Sequence, residues 1–222
     1  MFFVLSLPRC GSNMLATALD THPELHNFGE LLHHRRYRRQ IMRYGTREWL
    51  IRNDLQENDF FVAHFTSPDH PKVKVQHVDF WNWMSRTHGR VILLQRENIL
   101  RRAVSLAMLH KTGAWQRRDG DPPNSEKVHI STAFLRRVYT ETTHAYSCIK
   151  RLFPNGLRVT YEQLCRSQDT TLRRVQEYLG VATMQLSVRT LQQELRPLSD
   201  VVSNYSQLRN ALMSNRKFSR FF

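Results

Sequence analysis

The sequence predicts an α/β fold of three layers, a central parallel sheet between helices, and three observations predict it. Short apolar runs alternate with amphipathic helical patterns along the chain. The runs are apolar at consecutive positions, which suits strands covered on both faces. The 222 residues, 41% apolar and 23% charged, are enough to bury one sizeable core, and a single domain spanning 1–222 is expected. No repeat, low-complexity tract or linker-like stretch divides the chain.

The elements follow in order. Phe2–Leu7 is a six-residue apolar run leading into Pro8-Arg9. A membrane span needs about 20 residues and the core of a signal peptide about 7–15, so the run reads as a buried strand. Ser12–Asp20 is a compact, Ala-rich helix, and Arg36–Tyr44 and Thr46–Leu55 are amphipathic basic helices. Phe60–Phe65 is a further strand and Lys72–Val75 a weaker one. Val91–Leu94 is a strand followed by a helix over Glu97–His110, whose apolar residues at 99, 100, 103, 104, 106, 107 and 109 form a broad buried stripe. Thr112–Lys127 is polar and turn-rich and is expected to be a mobile loop, a substrate lid. Ile130–Phe153 is the longest helix; Leu157–Thr160 is the last strand; the helix Gln168–Leu179 stops at Gly180. Right-handed crossovers gather the loops that follow the strands at one sheet edge, where α/β folds bind ligands.

Charge and cysteine content narrow the function. Thirty-three Lys and Arg against 19 Asp and Glu give +14, an excess that favours an anionic partner. Cys10, Cys148 and Cys165 are too few and too scattered for a disulfide framework, and their odd number fits a reducing compartment; the expected location is cytoplasmic, with no transmembrane segment. The 11 histidines contain no H-E-x-x-H pair, so no metal site is expected.

The most informative stretch is Phe3–Leu15, F-V-L-S-L-P-R-C-G-S-N-M-L, where a strand enters a small-residue turn and a helix starts at once. Gly11 lets the backbone curl or approach a ligand. Free N–H groups at the helix start would seat an anion, with a hydroxyl from Ser12 and a fixed charge from Arg9. An ordinary turn capped by Ser12 fits the same residues. G-x-x-x-x-G-K-[ST] is missing, which disfavours a magnesium-dependent phosphoryl transferase or a degenerate nucleotide kinase.

P-R-C-G-S-N-M-L resembles the 5′-phosphosulfate loop of sulfotransferases that use 3′-phosphoadenosine 5′-phosphosulfate (PAPS). Three further stretches match in the family's order. Asp20–Glu30 resembles the segment bringing an acidic base, Val91–Leu106 the 3′-phosphate motif, and Val159–Leu164 with Tyr178–Val181 the downstream tyrosine strand and helix. R-E-N…V-S, T-G-A-W and S-N-Y-S-Q-L are most similar to bacterial carbohydrate sulfotransferases of the trehalose and nodulation-factor type.

The resemblance implies a P-loop-like nucleotide-binding fold and transfer of a sulfuryl group from PAPS to a hydroxyl of an acceptor, expected to be a carbohydrate, without a metal. It implies that Arg9, Cys10, Gly11, Ser12 and Asn13 hold the 5′ end and that Arg96 and Ser105 hold the 3′-phosphate, with Tyr161 a further nucleotide contact. Glu30 would be the general base and Arg9 the electrostatic catalyst. Each has a plainer reading: a surface ion pair for Arg96, a hydroxyl bonded to its own helix for Ser105, a helix N-terminal carboxylate for Glu30 and a core ring for Tyr161. Cys10 stands where the family commonly has Ser or Thr, and the late G-x-x-G-x-x-K segment of animal cytosolic members is absent, which leaves adenine contacts unassigned.

The basic run His33–Arg39 reads as a solvated helix face or, beside Glu30, as a contact for an anionic or sugar-rich acceptor, and Trp115 is a candidate to stack on adenine or sugar, whereas Trp81 and Trp83 read as core. The competing class is a noncatalytic, basic nucleic-acid-binding domain, which predicts a steep salt dependence. It gives no reason for a strand–turn–helix anion seat or for a distant Arg/Ser pair, so nucleic acid is disfavoured as the partner.

Overall fold

A computed structural model describes residues 1–30, 45–65, 75–87, 90–113, 126–188 and 196–222, which gather into two compact units. The first comprises Met1–Gln95 and His144–Val188, the second Arg96–Thr143 and Arg189–Phe222, in each case over the described residues.

The first unit holds a five-stranded sheet of β1 (Phe2–Ser6), β2 (His26–Glu30), β3 (Asp59–His64), β4 (Val91–Gln95) and β5 (Leu157–Thr160). Its order is β2-β3-β1-β4-β5 and every pairing is parallel. β1 therefore lies in the middle, with the chain winding to one side for β2 and β3 and then crossing to the other for β4 and β5. Such a reversal leaves a crevice at the C-terminal end of the central strand.

Alternation along β1 divides the core between two faces. Phe3 and Leu5 face one side, packed with Phe80, Trp81 and Met84 of α3 (Val75–Thr87) and with Ala145, Cys148 and Ile149 of the C-terminal half of α5 (Thr132–Leu152). Trp49 and Leu50 of α2 (Thr46–Arg52) join that side. Phe2 and Val4 face the other, against Leu15, Ala18 and Leu19 of α1 (Ser12–Leu19) and Leu172, Val175 and Leu179 of α7 (Gln168–Leu179). Between β5 and α7 runs α6 (Tyr161–Arg166), opened by a reciprocal capping box of Thr160 and Gln163. Trp81 is buried and Trp83 packs against the same cluster, as core residues.

The second unit contains α4 (Ile99–Thr112), the N-terminal half of α5, and α8 (Leu198–Val201), α9 (Tyr205–Leu212) and α10 (Arg216–Ser219). Ile99, Leu100, Ala103 and Val104 pack with Ile130, Leu135, Val138, Val201, Leu208 and Phe221. Buried Arg102 donates to Thr142 Oγ1 at 2.7 Å, so its charge sits on a hydroxyl that itself donates to the Val138 carbonyl.

The three-layer α/β expectation matches the first unit, and four of the five strands lie where the apolar runs placed them. Three boundaries are corrected. The helix expected over Glu97–His110 begins at Ile99, because the Asn98 side chain caps it by accepting from Arg101 N–H, and it continues to Thr112, where Gly113 turns at φ 68°. The helix expected over Thr46–Leu55 ends at Arg52, and Ile130–Phe153 is trimmed to Thr132–Leu152. Val75 opens α3 rather than closing a strand, while Lys72, Val73 and Lys74 lie outside the described residues. The helix expected at Arg36–Tyr44, the basic run His33–Arg39, Trp115 and residues 114–125 of the expected lid also lie outside them. Among the described residues no helix is long and apolar enough to cross a membrane.

Candidate active site

The β1–α1 turn is built for backbone exposure. Arg9 sits at φ 69° and Gly11 at φ 91°, two left-handed residues either side of Cys10. For arginine that conformation costs about 1–3 kcal/mol, strain of the kind that collects at ligand clamps. Gly11 is the N-cap of α1 and has no side chain with which to cap it, so the first-turn N–H groups and the positive end of the dipole are open to an outside acceptor. The alternative of a turn capped by Ser12 does not hold: Ser12 is the first helical residue, and its Oγ lies 3.3 Å from His64 Nε2.

Cys10 is fully buried, with Sγ 3.3 Å from the Tyr146 hydroxyl. Its side chain belongs to the core, so only its backbone can serve a ligand. Tyr161, the first residue of α6, lies against the same turn: a Cβ at Gly11 would stand 2.5 Å from Tyr161 Cδ2. A Gly11→Ala variant therefore meets both a ring and a positive φ. It is expected to lose about 1–3 kcal/mol of stability, read as a lowered denaturant midpoint, together with its affinity for an anion at the turn.

Glu30 reaches this place through a bulge. Asn27 pairs with Phe60 and Glu30 with Val62, so Phe28 and Gly29 together oppose Phe61. Gly29 takes φ 81°, and its N–H donates to Asn27 Oδ1 at 2.8 Å. The extra residue moves Glu30 onto the face of its partner Val62, which is also the α1 side of the sheet. His64, two residues beyond Val62 on β3, then stands beside it: His64 Nε2 is 3.8 Å from Glu30 Oε1. Glu30 keeps 36% of its side-chain exposure and His64 10%. Glu30 is thus a strand-end carboxylate at the rim of the crevice, and the residues that would continue the helix N-terminal alternative lie outside the described ones.

Within the first unit the fold brings together Arg9, Cys10, Gly11, Ser12, Asn13, Glu30 and Tyr161, the expected residues of that unit, around the ends of β1, β2 and β5. Arg96 and Ser105 belong to the second unit. Arg96 is buried and follows β4 directly in the chain; Ser105, half-buried, lies two turns into α4. His64 went unnoticed in the sequence, where it is a polar end to an apolar run. Its placement was legible only through the β1–β3 pairing, which sets His64 opposite Ser6 at the edge from which the turn departs. Among the described residues no group of three or more His, Cys, Asp or Glu is disposed to hold a metal.

Comparison with known proteins agrees with this architecture. No family model matches the chain. It is 27% identical over 241 aligned positions to nodulation protein H of Rhizobium meliloti strain 1021, covering all of this chain and 94% of that protein. It is 24% identical to nodulation protein H of Rhizobium tropici, covering all of this chain and 92% of that one. Among solved structures, a mouse sulfotransferase complexed with PAP superposes at a TM-score of 0.53 with 13% identity, over 99% of this chain and 86% of the other. A sulfotransferase from Alicyclobacillus acidocaldarius gives 0.53 with 14% identity, over 99% and 91%. The chain therefore has the sulfotransferase fold and resembles nodulation protein H over its full length.

Proposed function

We propose that residues 1–222 act as a single PAPS-dependent sulfotransferase domain with a carbohydrate hydroxyl as acceptor and no metal. The observation that carries this reading is the uncapped start of α1 beside a left-handed Arg9, with a half-exposed carboxylate, Glu30, held on the same side of the sheet. The turn fits an anionic donor because Gly11 has no side chain with which to cap the N–H groups that start α1. Bound there, PAPS would supply a sulfuryl group on a 5′-phosphate leaving group. The full-length likeness to nodulation protein H and the PAP bound in the mouse neighbour support that choice of donor.

The chain's own residues have separate tasks. Arg9 and the N–H groups of residues 10–13 hold the 5′ end and offset the charge that grows on the departing oxygen. Arg96 and Ser105 are assigned to the 3′-phosphate, and Tyr161 to the nucleotide beside Gly11. Glu30 takes the proton from the acceptor hydroxyl as the new S–O bond forms. His64 is a positioning residue: its Nε2 lies between Ser12 Oγ and Glu30 Oε1 and couples the carboxylate to the turn. A His64→Asn variant is expected to lose about 10²-fold in kcat, the scale of a 1 Å misplacement, with PAP affinity retained. Its pH–rate profile should move, which a purely structural defect would not cause.

Radiolabelled PAPS offered with a panel of neutral and acidic oligosaccharides tests the reading. Label is expected on a sugar hydroxyl, and its rate of appearance is expected to fall about 10²–10⁴-fold when Glu30 is replaced by Gln. Steep, salt-sensitive DNA binding with no PAP binding would replace this reading by a noncatalytic one.

A further inference from the structure

A second concave site lies in the second unit. A groove of about 610 Å³ is lined by Ala107, His110 and Lys111 of α4, by Lys127, Val128 and His129, and by Phe134 and Ser203. That volume falls within the roughly 300–1,000 Å³ of small-ligand sites. Two local geometries explain the lining. Ala107, His110 and Lys111 are spaced i, i+3, i+4 on one helical stripe, and at ~100° per residue Ser105 lies roughly 120–160° around the helix from them. The groove is thus on a different side of α4 from the residue assigned to the nucleotide.

The second wall is extended. Val128 bridges to Val202, with Val128 N–H donating to the Val201 carbonyl at 2.8 Å and Ser203 N–H to the Val128 carbonyl at 2.9 Å. Asn204 clamps Ile130 through two 3.0 Å hydrogen bonds. Alternation then buries Val128 and Ile130 and leaves Lys127 and His129 exposed together. Lys111 Nζ ties the walls, donating to the Lys127 carbonyl at 2.9 Å and pairing with Glu126 at 2.5 Å. Its hydrogen bond, then its charge, hold the Glu126 carboxyl below the usual carboxylate range. Among the described residues the side chains of His110, Lys127 and His129 have no hydrogen-bond or ion-pair partner, so three basic groups converge on the groove unspent. Phe134 supplies an apolar ring, with the Arg137 guanidinium carbon 5.4 Å from its centroid.

A wall bearing one ammonium and two imidazole donors, an aromatic ring and a hydroxyl suits a compact ligand that is both acidic and ring-shaped. We propose that this groove is a binding site for an acidic saccharide, a pyranose bearing a carboxylate or sulfate, the acid group held by Lys127, His129 and His110 and the ring lying on Phe134. The inference rests on the second unit's own residues and stands apart from the sulfotransferase reading. A nucleic-acid strand fits less well, because it needs a track of such seats and meets the Glu126 carboxylate beside this one.

The test is isothermal titration of the full chain with a glucuronate-containing tetrasaccharide and with its carboxyl-reduced counterpart. The acidic chain is expected to bind about tenfold to a hundredfold more tightly, the range of one charge-assisted hydrogen bond. The double variant Lys127→Ala, His129→Ala should abolish that preference while leaving PAP affinity unchanged; Lys127→Arg should keep it, since both altered positions are exposed and folding is not at stake. Equal binding of the two saccharides, or a preference that survives in the double variant, overturns the proposal. So does single-stranded DNA that binds more tightly than the tetrasaccharide and loses as much in the double variant. Acid preference without any transfer from labelled PAPS would leave the groove standing and remove the enzyme reading; transfer to neutral sugars without acid preference would do the reverse.

Discussion

A Glu30→Gln variant is expected to bind PAP as well as the unaltered protein while turning over about 10²–10⁴-fold more slowly, the range over which a positioned general base acts. The substitution keeps the volume and the bulged backbone of β2 and removes only the ability to accept a proton. Gly29 at φ 81° and the Asn27 side chain fix that backbone, so the strand end should not move. Single-turnover kinetics and calorimetric PAP titration read the two quantities separately. A variant with normal turnover would assign the proton to another group. A variant that lost PAP binding would place Glu30 in the donor site instead.

Arg9 allows a sharper experiment, because its backbone and its side chain act in opposite directions. Removing the guanidinium should raise the barrier by about 2.7–4 kcal/mol, as loss of an oxyanion-type donor does, lowering kcat about 10²–10³-fold. Glycine at this position also relieves the left-handed strain at φ 69°, whereas alanine keeps it. Arg9→Gly is therefore expected to be more stable than Arg9→Ala by about 1 kcal/mol, while both are catalytically poor. Thermal melts and initial rates on the pair would show the two effects separately. Equal rates for Arg9→Gly and the parent would remove Arg9 from the chemistry.

The parts of this fold that are legible in sequence are those where burial is two-sided. β1, β3 and β4 read as apolar runs because side chains on both faces are covered, and Gly180 marked the end of α7 because its φ of 69° suits glycine. β2 was missed for the opposite reason. His-Asn-Phe-Gly-Glu is a polar edge strand with a bulge, held by one ladder to β3, so neither a run nor an alternation survives in it. α3 was missed because His, Asn, Phe and Trp are weak helix formers; Phe80, Trp81 and Met84 still share one helical face, and packing on β1 decides the outcome.

The site divides in the same way. The β1–α1 turn is a contiguous segment, and its chemistry could be read from Arg9 to Asn13. His64 joins Ser12 and Glu30 only through parallel pairing of distant strands, and the unspent donors of the second-unit groove converge from α4 and an extended segment far along the chain. Neither arrangement has a local spacing to betray it.

The most direct measurement is calorimetric titration of the full chain with PAP and, separately, with 5′-AMP, which lacks the 3′-phosphate. Seats for both phosphates predict saturable PAP binding at a single site, at least about tenfold tighter than AMP, since even one charge-assisted hydrogen bond is worth that much. Equal affinities for the two nucleotides, or no PAP binding at all, would contradict the account.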